Sequence, residues 1–258
     1  MIKAAFFDID RTLLSHVTNS VPQSARDALE ALKQKGVLLF CATGRPKSVV
    51  ETMPALQGLP FHGCVTLNGQ FCYDHTGIIF SNPIHTDDIR QLIAFLDQTP
   101  IPCAFIDGNR SYMNFYNDHV FRVHTAVMSD PPPLGDLRQG LYGGVLQIWM
   151  YLQNDDLSRL PTLPHIKYTQ WHEGGIDMIA MDGGKATGIE RVLAHYGISW
   201  EEVIAFGDAE NDIDMLRGAG IAVAMGNACD AVKAVADFIT TDIDDNGISN
   251  ALKHFDLI

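Results

Sequence analysis

The stretch "AAFFDIDRTLL", residues 4–14, constrains this chain more than any other. Residues 3–8 read as a strand whose centre, Ala4 to Phe7, is uninterruptedly apolar, the pattern of a strand buried on both faces, as in a parallel sheet covered by helices. The run ends on Asp8 and Asp10, two residues apart. Carboxylates at the mouth of a core are costly to desolvate, so they need a cation, hydrogen-bond donors or a chemical task.

The chain then alternates. In "VPQSARDALEALKQKG" (21–36), Ala25, Leu29 and Leu32 fall at helical spacing and Gly36 suits the residue after a helix end. "VLLFC" (37–41) reads as a second strand, "PKSVVETMPALQG" (46–58) as a helix with proline at its start, and "CVTL" (64–67) as a third strand. Strand–helix alternation predicts an α/β fold with a doubly wound parallel sheet. From about residue 70 the rhythm turns antiparallel, with hairpins around His75–Gly77 and Asp107–Asn109. Helices over 87–98 and 117–127 and strands over 143–152, 166–171 and 176–181 complete an α+β insert, with a surface loop at 129–135. After Lys185 the parallel rhythm returns: a helix to about Tyr196, a Ser199-to-Glu202 capping box, the strand "VIAFGD" (203–208), a short helix and "IAVAM" (221–225). The expected organisation is a Rossmann-like core, 1–82 plus 183–258, interrupted by an α+β cap over 83–182.

Composition narrows the function. With 47% hydrophobic and 19% charged residues and no low-complexity tract, the chain is that of a folded protein. A net charge of −13 disfavours nucleic acid and anionic membranes as partners. No apolar stretch approaches the ~20 residues of a membrane span, and the N-terminus has no leader pattern, so a cytoplasmic protein is expected. Cys41, Cys64, Cys72, Cys103 and Cys229 are odd in number and form no CxxC pair, which points to small core residues rather than disulfides or zinc.

In a doubly wound sheet, ligands bind beyond the carboxyl ends of the strands. Three of the expected core strands end in "DID", in "ATGR" (Ala42, Thr43, Gly44, Arg45) and in "GDAEND", which holds Asp208 and Asp212, while Lys185 opens a helix after "DGG". Each feature alone is an ordinary turn or helix cap. Together they bring carboxylates, a hydroxyl and an ammonium to one sheet edge. Clustered carboxylates raise one another's pKa unless a divalent cation sits between them, and hard oxygen ligands suit Mg²⁺. Mg²⁺ shares its shell with phosphate, and Thr43, backbone amides and Lys185 are donors for phosphoryl oxygens, so the reaction class is phosphoryl transfer.

The motifs "DIDRT", "ATGR", "GGKATGI" and "GDAENDIDML", with "LNG" (67–69), "AMGNA" (224–228) and "DDNGIS" (244–249), resemble those of haloacid dehalogenase superfamily phosphatases of the Cof type, which carry a type IIB cap. The resemblance spans nearly the whole chain. It implies an Mg²⁺-dependent phosphatase acting on small phosphate esters, sugar phosphates or phosphorylated cofactors, as a monomer or homodimer. It implies Asp8 as nucleophile forming an aspartyl-phosphate and Asp10 as acid/base. Asp8, Asp208, Asp212 and the backbone carbonyl of Asp10 would serve the metal, with Asp212 in an outer position. The amide of Ile9, with Thr43, Gly44, Lys185 and Asn211, would hold phosphoryl oxygens. One departure is Arg11, where many relatives have glycine; the resemblance leaves it as a solvated side chain or a partner of substrate or carboxylate. Arg45 is expected in an ion pair near the second motif. Specificity is expected in the cap, where Phe105, Tyr112, Phe115, Trp149 and His172 are candidates weighed against core packing, and residues 173–178 stand near the entrance in relatives.

Four other readings compete. "DGGKAT" fails as a Walker-type nucleotide loop, since Ile179 stands where glycine is needed and Ala186 follows the lysine. Cys41 and Arg45 are too close for a cysteine-phosphatase loop. A non-catalytic phosphate- and magnesium-binding module, and a phosphotransferase or phosphomutase on the same fold, stay open.

Overall fold

The computed structural model describes residues 1–127, 129–152 and 157–258, with the side chains of Leu157 and His172 outside that description. The chain forms two compact units, Met1–Phe80 with Gly184–Ile258, and Ser81–Gly183. The first begins with β1 (Ala4–Phe7), α1 (Gln23–Gln34), β2 (Leu38–Ala42), α2 (Lys47–Thr52), β3 (Gly63–Thr66), β4 (Phe71–Asp74) and β5 (Gly77–Ser81). The second supplies α3 (Thr86–Gln98), β6 (Cys103–Ile106), β7 (Ser111–Met113), α4 (Asp118–Ala126), β8 (Gln147–Met150), β9 (Ile166–His172) and β10 (Gly175–Ala180). The first is completed by α5 (Lys185–Tyr196), β11 (Val203–Gly207), α6 (Ile213–Gly218), β12 (Ile221–Ala224), α7 (Asp230–Lys233), β13 (Phe238–Ile239) and α8 (Gly247–His254).

Among the described residues, the first unit's sheet runs β13-β12-β11-β1-β2-β3-β4-β5. It is parallel from β13 to β3 and antiparallel at β3–β4. Every residue of β1 is buried, which is why its sequence is continuously apolar rather than alternating. Phe6 stacks on Phe40 of β2 and Phe7 on Phe206 of β11, at 4.9 Å between centroids in each pair, so aromatic contacts on both faces pin the central strand to its neighbours. The hairpin β4–β5 extends this sheet.

The second unit has a five-stranded sheet, β7-β6-β8-β10-β9, with antiparallel pairing throughout. Ile89, Leu92, Ile93 and Leu96 of α3 pack with Phe105, Ile148, Met150, Ile176 and Met178, forming a core of its own. Among the described residues, no helix is long and apolar enough to cross a membrane.

Three expectations are corrected. The helix expected over 46–58 stops at Thr52 and resumes only as a single 3₁₀ turn, Pro54–Leu56. Pro54 has no N–H to donate and drives Met53 out of the helical region, to φ −69°, ψ 114°. The strand expected over 143–152 is confined to Gln147–Met150, because Gly143 and Gly144 take φ 90° and 88°, outside strand geometry. Cys229 is exposed, unlike Cys41, Cys64, Cys72 and Cys103, because it precedes the short surface helix α7.

Candidate active site

β1 delivers Asp8 and Asp10 on either side of Ile9, whose side chain is fully buried and whose carbonyl accepts the amides of Leu13 (2.9 Å) and Leu14 (2.7 Å). That tight turn, anchored by Ile9 and Leu13 in the core, separates the two aspartates. Asp8 is buried and accepts from Lys185 Nζ at 2.6 Å. Asp10 is half-exposed and is held by Arg45, whose Nε and Nη2 each donate at 2.7 Å, with His16 Nε2 at 3.0 Å.

Lys185 is the first residue of α5 and is 1% exposed. Its placement depends on glycines. The turn Leu67–Asn68–Gly69 runs through three left-handed residues (φ 54°, 51° and 85°), and a Cβ on Gly69 would lie 1.9 Å from the carbonyl oxygen of Gly184. Backbone thus meets backbone where α5 starts, and this contact sets the ammonium into the sheet edge. Lys185 also donates to Asp212 Oδ1 at 2.5 Å. Asp212 Oδ2 in turn accepts the amides of Asp208 (2.9 Å) and Ala209 (3.1 Å), which fixes the turn leaving β11. Gly207 is required there, because a Cβ would fall 2.6 Å from the carboxyl carbon of Asp212.

Asp8, Asp208 and Asp212 are all buried, and each offers a carboxylate oxygen within 4.8 Å of the others. Burial drives the Asp8 carboxyl well above the usual carboxylate range; Lys185 opposes this, while Asp212 and Asp208 reinforce it. Asp208 is pushed up to about 7 by burial and then by Asp212, against the pull of Arg11 and Lys185. The same carboxylates outweigh burial at Lys185 and hold its ammonium above the ordinary lysine value. Three hard, buried oxygen ligands, of which Asp8 and Asp208 have their ionisation held back by burial and by neighbouring carboxylates, fit a divalent cation of the magnesium type. The carboxylate of Asp10 lies outside this cluster. Burial would raise its pKa, but the hydrogen bonds from Arg45 and His16 outweigh burial and hold it well below the usual range.

Of the other expected residues, Thr43 is 1% exposed at the end of β2, its amide donating to the Val65 carbonyl and its hydroxyl accepting the Arg45 amide at 3.1 Å. Gly44 lies in the turn between Thr43 and Arg45. Asn211 donates to Asn68 Oδ1 at 3.0 Å. In the second unit, Phe105 and Tyr112 belong to the core, Phe115 and Trp149 are half-buried, and the His172 side chain lies outside the described residues. Sequence reasoning gave no role to His16, Thr12, Asn68 or Asn227. Thr12 donates to Asp208 Oδ1 at 3.3 Å, and Asn227 Nδ2 donates to the Arg11 carbonyl at 2.8 Å. The available signals were the quoted "DIDRT", "LNG" and "AMGNA" stretches, which carry Thr12, Asn68 and Asn227.

Residues 5–252 match the haloacid dehalogenase-like hydrolases. The chain belongs to that family. It is 32% identical over 259 residues to YkrA of Bacillus subtilis (strain 168), covering 99% of this chain and 98% of YkrA. It superposes on the HAD subclass IIB sugar phosphatase BT4131 with a TM-score of 0.90 at 35% identity, covering 99% of this chain and 100% of that one. It likewise superposes on the HAD-superfamily phosphatase BT1666 of Bacteroides thetaiotaomicron, with a TM-score of 0.91 at 32% identity, covering 100% of this chain and 96% of that one. This family member is an enzyme, a hydrolase of the phosphatase kind.

Proposed function

We propose that the protein hydrolyses small phosphate monoesters through an aspartyl-phosphate on Asp8, with magnesium dependence supplied by Asp8, Asp208, Asp212 and the backbone carbonyl of Asp10. The observation that carries this reading is the buried constellation in which one ammonium, Lys185, bridges Asp8 (2.6 Å) and Asp212 (2.5 Å) within a three-carboxylate cluster. A cation bound there would neutralise charge on the phosphoryl oxygens and on the attacking carboxylate.

The chain's own residues divide the remaining work. Thr43, Gly44, Lys185, Asn211 and the amide of Ile9 hold the phosphoryl group. Asn211 is oriented for this by Asn68, and Lys185 by the two carboxylates it bridges. Asp8 attacks phosphorus and the alkoxide leaves, which divides one hard hydrolysis into two displacements. Asp10 then takes a proton from the water that attacks the phosphoenzyme, a role suited to a carboxylate that Arg45 keeps ionised. Protonating the leaving oxygen in the first displacement requires the opposite state, so Asp10 carries its proton free of Arg45 as the alkoxide leaves, and pairs with Arg45 again once it has given that proton up. The substrate class is sugar phosphates or phosphorylated cofactors; sugar phosphate is favoured by the likeness to BT4131, and the second unit selects among esters.

The test is hydrolysis of p-nitrophenyl phosphate by purified protein, with Mg²⁺, with EDTA, and for Asp8→Asn. Turnover that needs Mg²⁺ and falls by about 10³-fold or more in Asp8→Asn is expected. Undiminished turnover by Asp8→Asn would remove the covalent step, and undiminished turnover in EDTA would remove the metal.

A further inference from the structure

We propose that Arg11 sets how tightly the carboxylate cluster holds a divalent cation, by standing as a tethered positive charge against Asp208. The inference rests on the metal reading above and adds a residue of this chain to it.

Arg11 is not a loose surface side chain. Its backbone is held at φ 62°, a region that disfavours any side chain other than those of Asn and Asp, so its surroundings over-determine its conformation. Asn227 grips both ends of it: Asn227 Nδ2 donates to the Arg11 carbonyl at 2.8 Å, and the Asn227 carbonyl accepts from Arg11 Nη2 at 3.1 Å. Asn227 is itself tied down, with Oδ1 accepting the amide of Ile243 at 3.0 Å. The result is a guanidinium whose Nε sits 3.7 Å from Asp208 Oδ2.

Charge counting gives the consequence. In the ionised form that a cation binds, three carboxylates, Asp8, Asp208 and Asp212, face one buried ammonium, Lys185, which leaves two negative charges to hold the cation. Arg11 halves that remainder. It also competes for one oxygen of Asp208, whose other oxygen already accepts the Thr12 hydroxyl. The two positive charges differ in reach: the Lys185 side chain is 0% exposed and the Arg11 side chain 54%. The Arg11 contribution is therefore open to screening by salt and the Lys185 contribution is not.

The experiment is calorimetric titration of Mg²⁺ into the full-length, metal-stripped protein, without substrate, at low and at high salt. Wild type is compared with Arg11→Gln, which removes the charge, with Arg11→Gly, which also relieves the backbone, and with Arg11→Lys, which keeps a charge. Arg11→Gln and Arg11→Gly are expected to bind Mg²⁺ about three- to ten-fold more tightly than wild type, because a divalent ion feels each neighbouring charge twice. Arg11→Lys should stay nearer wild type, and the difference should shrink as salt rises. Equal dissociation constants for wild type and Arg11→Gln overturn the inference while leaving the metal site intact. A gain in Arg11→Gly alone also overturns it, since backbone relief rather than charge would then be the cause. Absence of Mg²⁺ binding by all four proteins removes the metal site and the inference with it.

Discussion

The two units solve the same packing problem with different consequences for chemistry. In the first, a parallel sheet aligns the carboxyl ends of β1, β2 and β11, so Asp8, Thr43 and Asp208 emerge at one edge and α5 adds Lys185. In the second, antiparallel pairing alternates strand ends between edges, and the apolar positions are spent on a core between α3 and its sheet. A parallel sheet concentrates functional groups by topology alone, whereas an antiparallel one must build a site from the faces of its strands.

Substitutions in each unit should separate these roles. The largest effect is expected from Lys185→Met, which leaves Asp8 and Asp212 buried without their shared ammonium. Turnover should fall by about 10²–10³-fold or more, and stability in EDTA by about 3–5 kcal/mol, read by steady-state kinetics and thermal unfolding. A variant melting like wild type in EDTA would show that the carboxylates take up protons instead of depending on the lysine. Leu92→Ala tests the other unit: Leu92 is fully buried beneath the second sheet, so about 2–5 kcal/mol should be lost. The stabilisation by Mg²⁺ should persist in that variant. If Leu92→Ala abolished it, the two cores would not be energetically separate.

The smallest effect sharpens the electrostatics of the first unit. Folding raises Asp208 to about 7, so the folded state binds its proton more tightly than the unfolded one. Its contribution to stability is then present at low pH and is lost as pH rises from about 4 through about 7; Asp8 acts in the same direction. A cation reverses this cost. The rise in melting temperature on adding Mg²⁺ should therefore be a few degrees larger at about pH 8 than at about pH 5, measured by differential scanning fluorimetry. A pH-independent rise would mean that the carboxylates are already ionised without metal.

Much of the first unit was legible in the sequence because strand ends in an alternating pattern are locally encoded. Continuous apolar runs mark strands buried on both faces, and the polar residues directly after them have to lie at the binding edge. Helix α1 was equally plain, from Ala25, Leu29 and Leu32 at helical spacing with Gly36 at φ 81° beyond its end. The break at Pro54 is likewise encoded locally, because proline lacks the N–H that a continuing helix needs. The second unit offered less: burial of Phe105 and Tyr112 depends on which face each strand presents, and the shortening of β8 on the left-handed backbone that Gly143 and Gly144 adopt.

By itself the sequence determined the alternation of strands and helices and the residues at their ends: Asp8, Asp10, Thr43, Gly44, Asp208 and Asp212. Periodicity and turn chemistry act between near neighbours, so a linear reading captures them. Only the tertiary structure decided which charges meet. Lys185 reaches Asp8 across 177 positions, Arg45 claims Asp10 across 35, and Asn227 holds Arg11 across 216. Those pairings follow from the order of strands in the sheet and the close glycine contact at α5, which place side chains in space without leaving a local pattern in the chain.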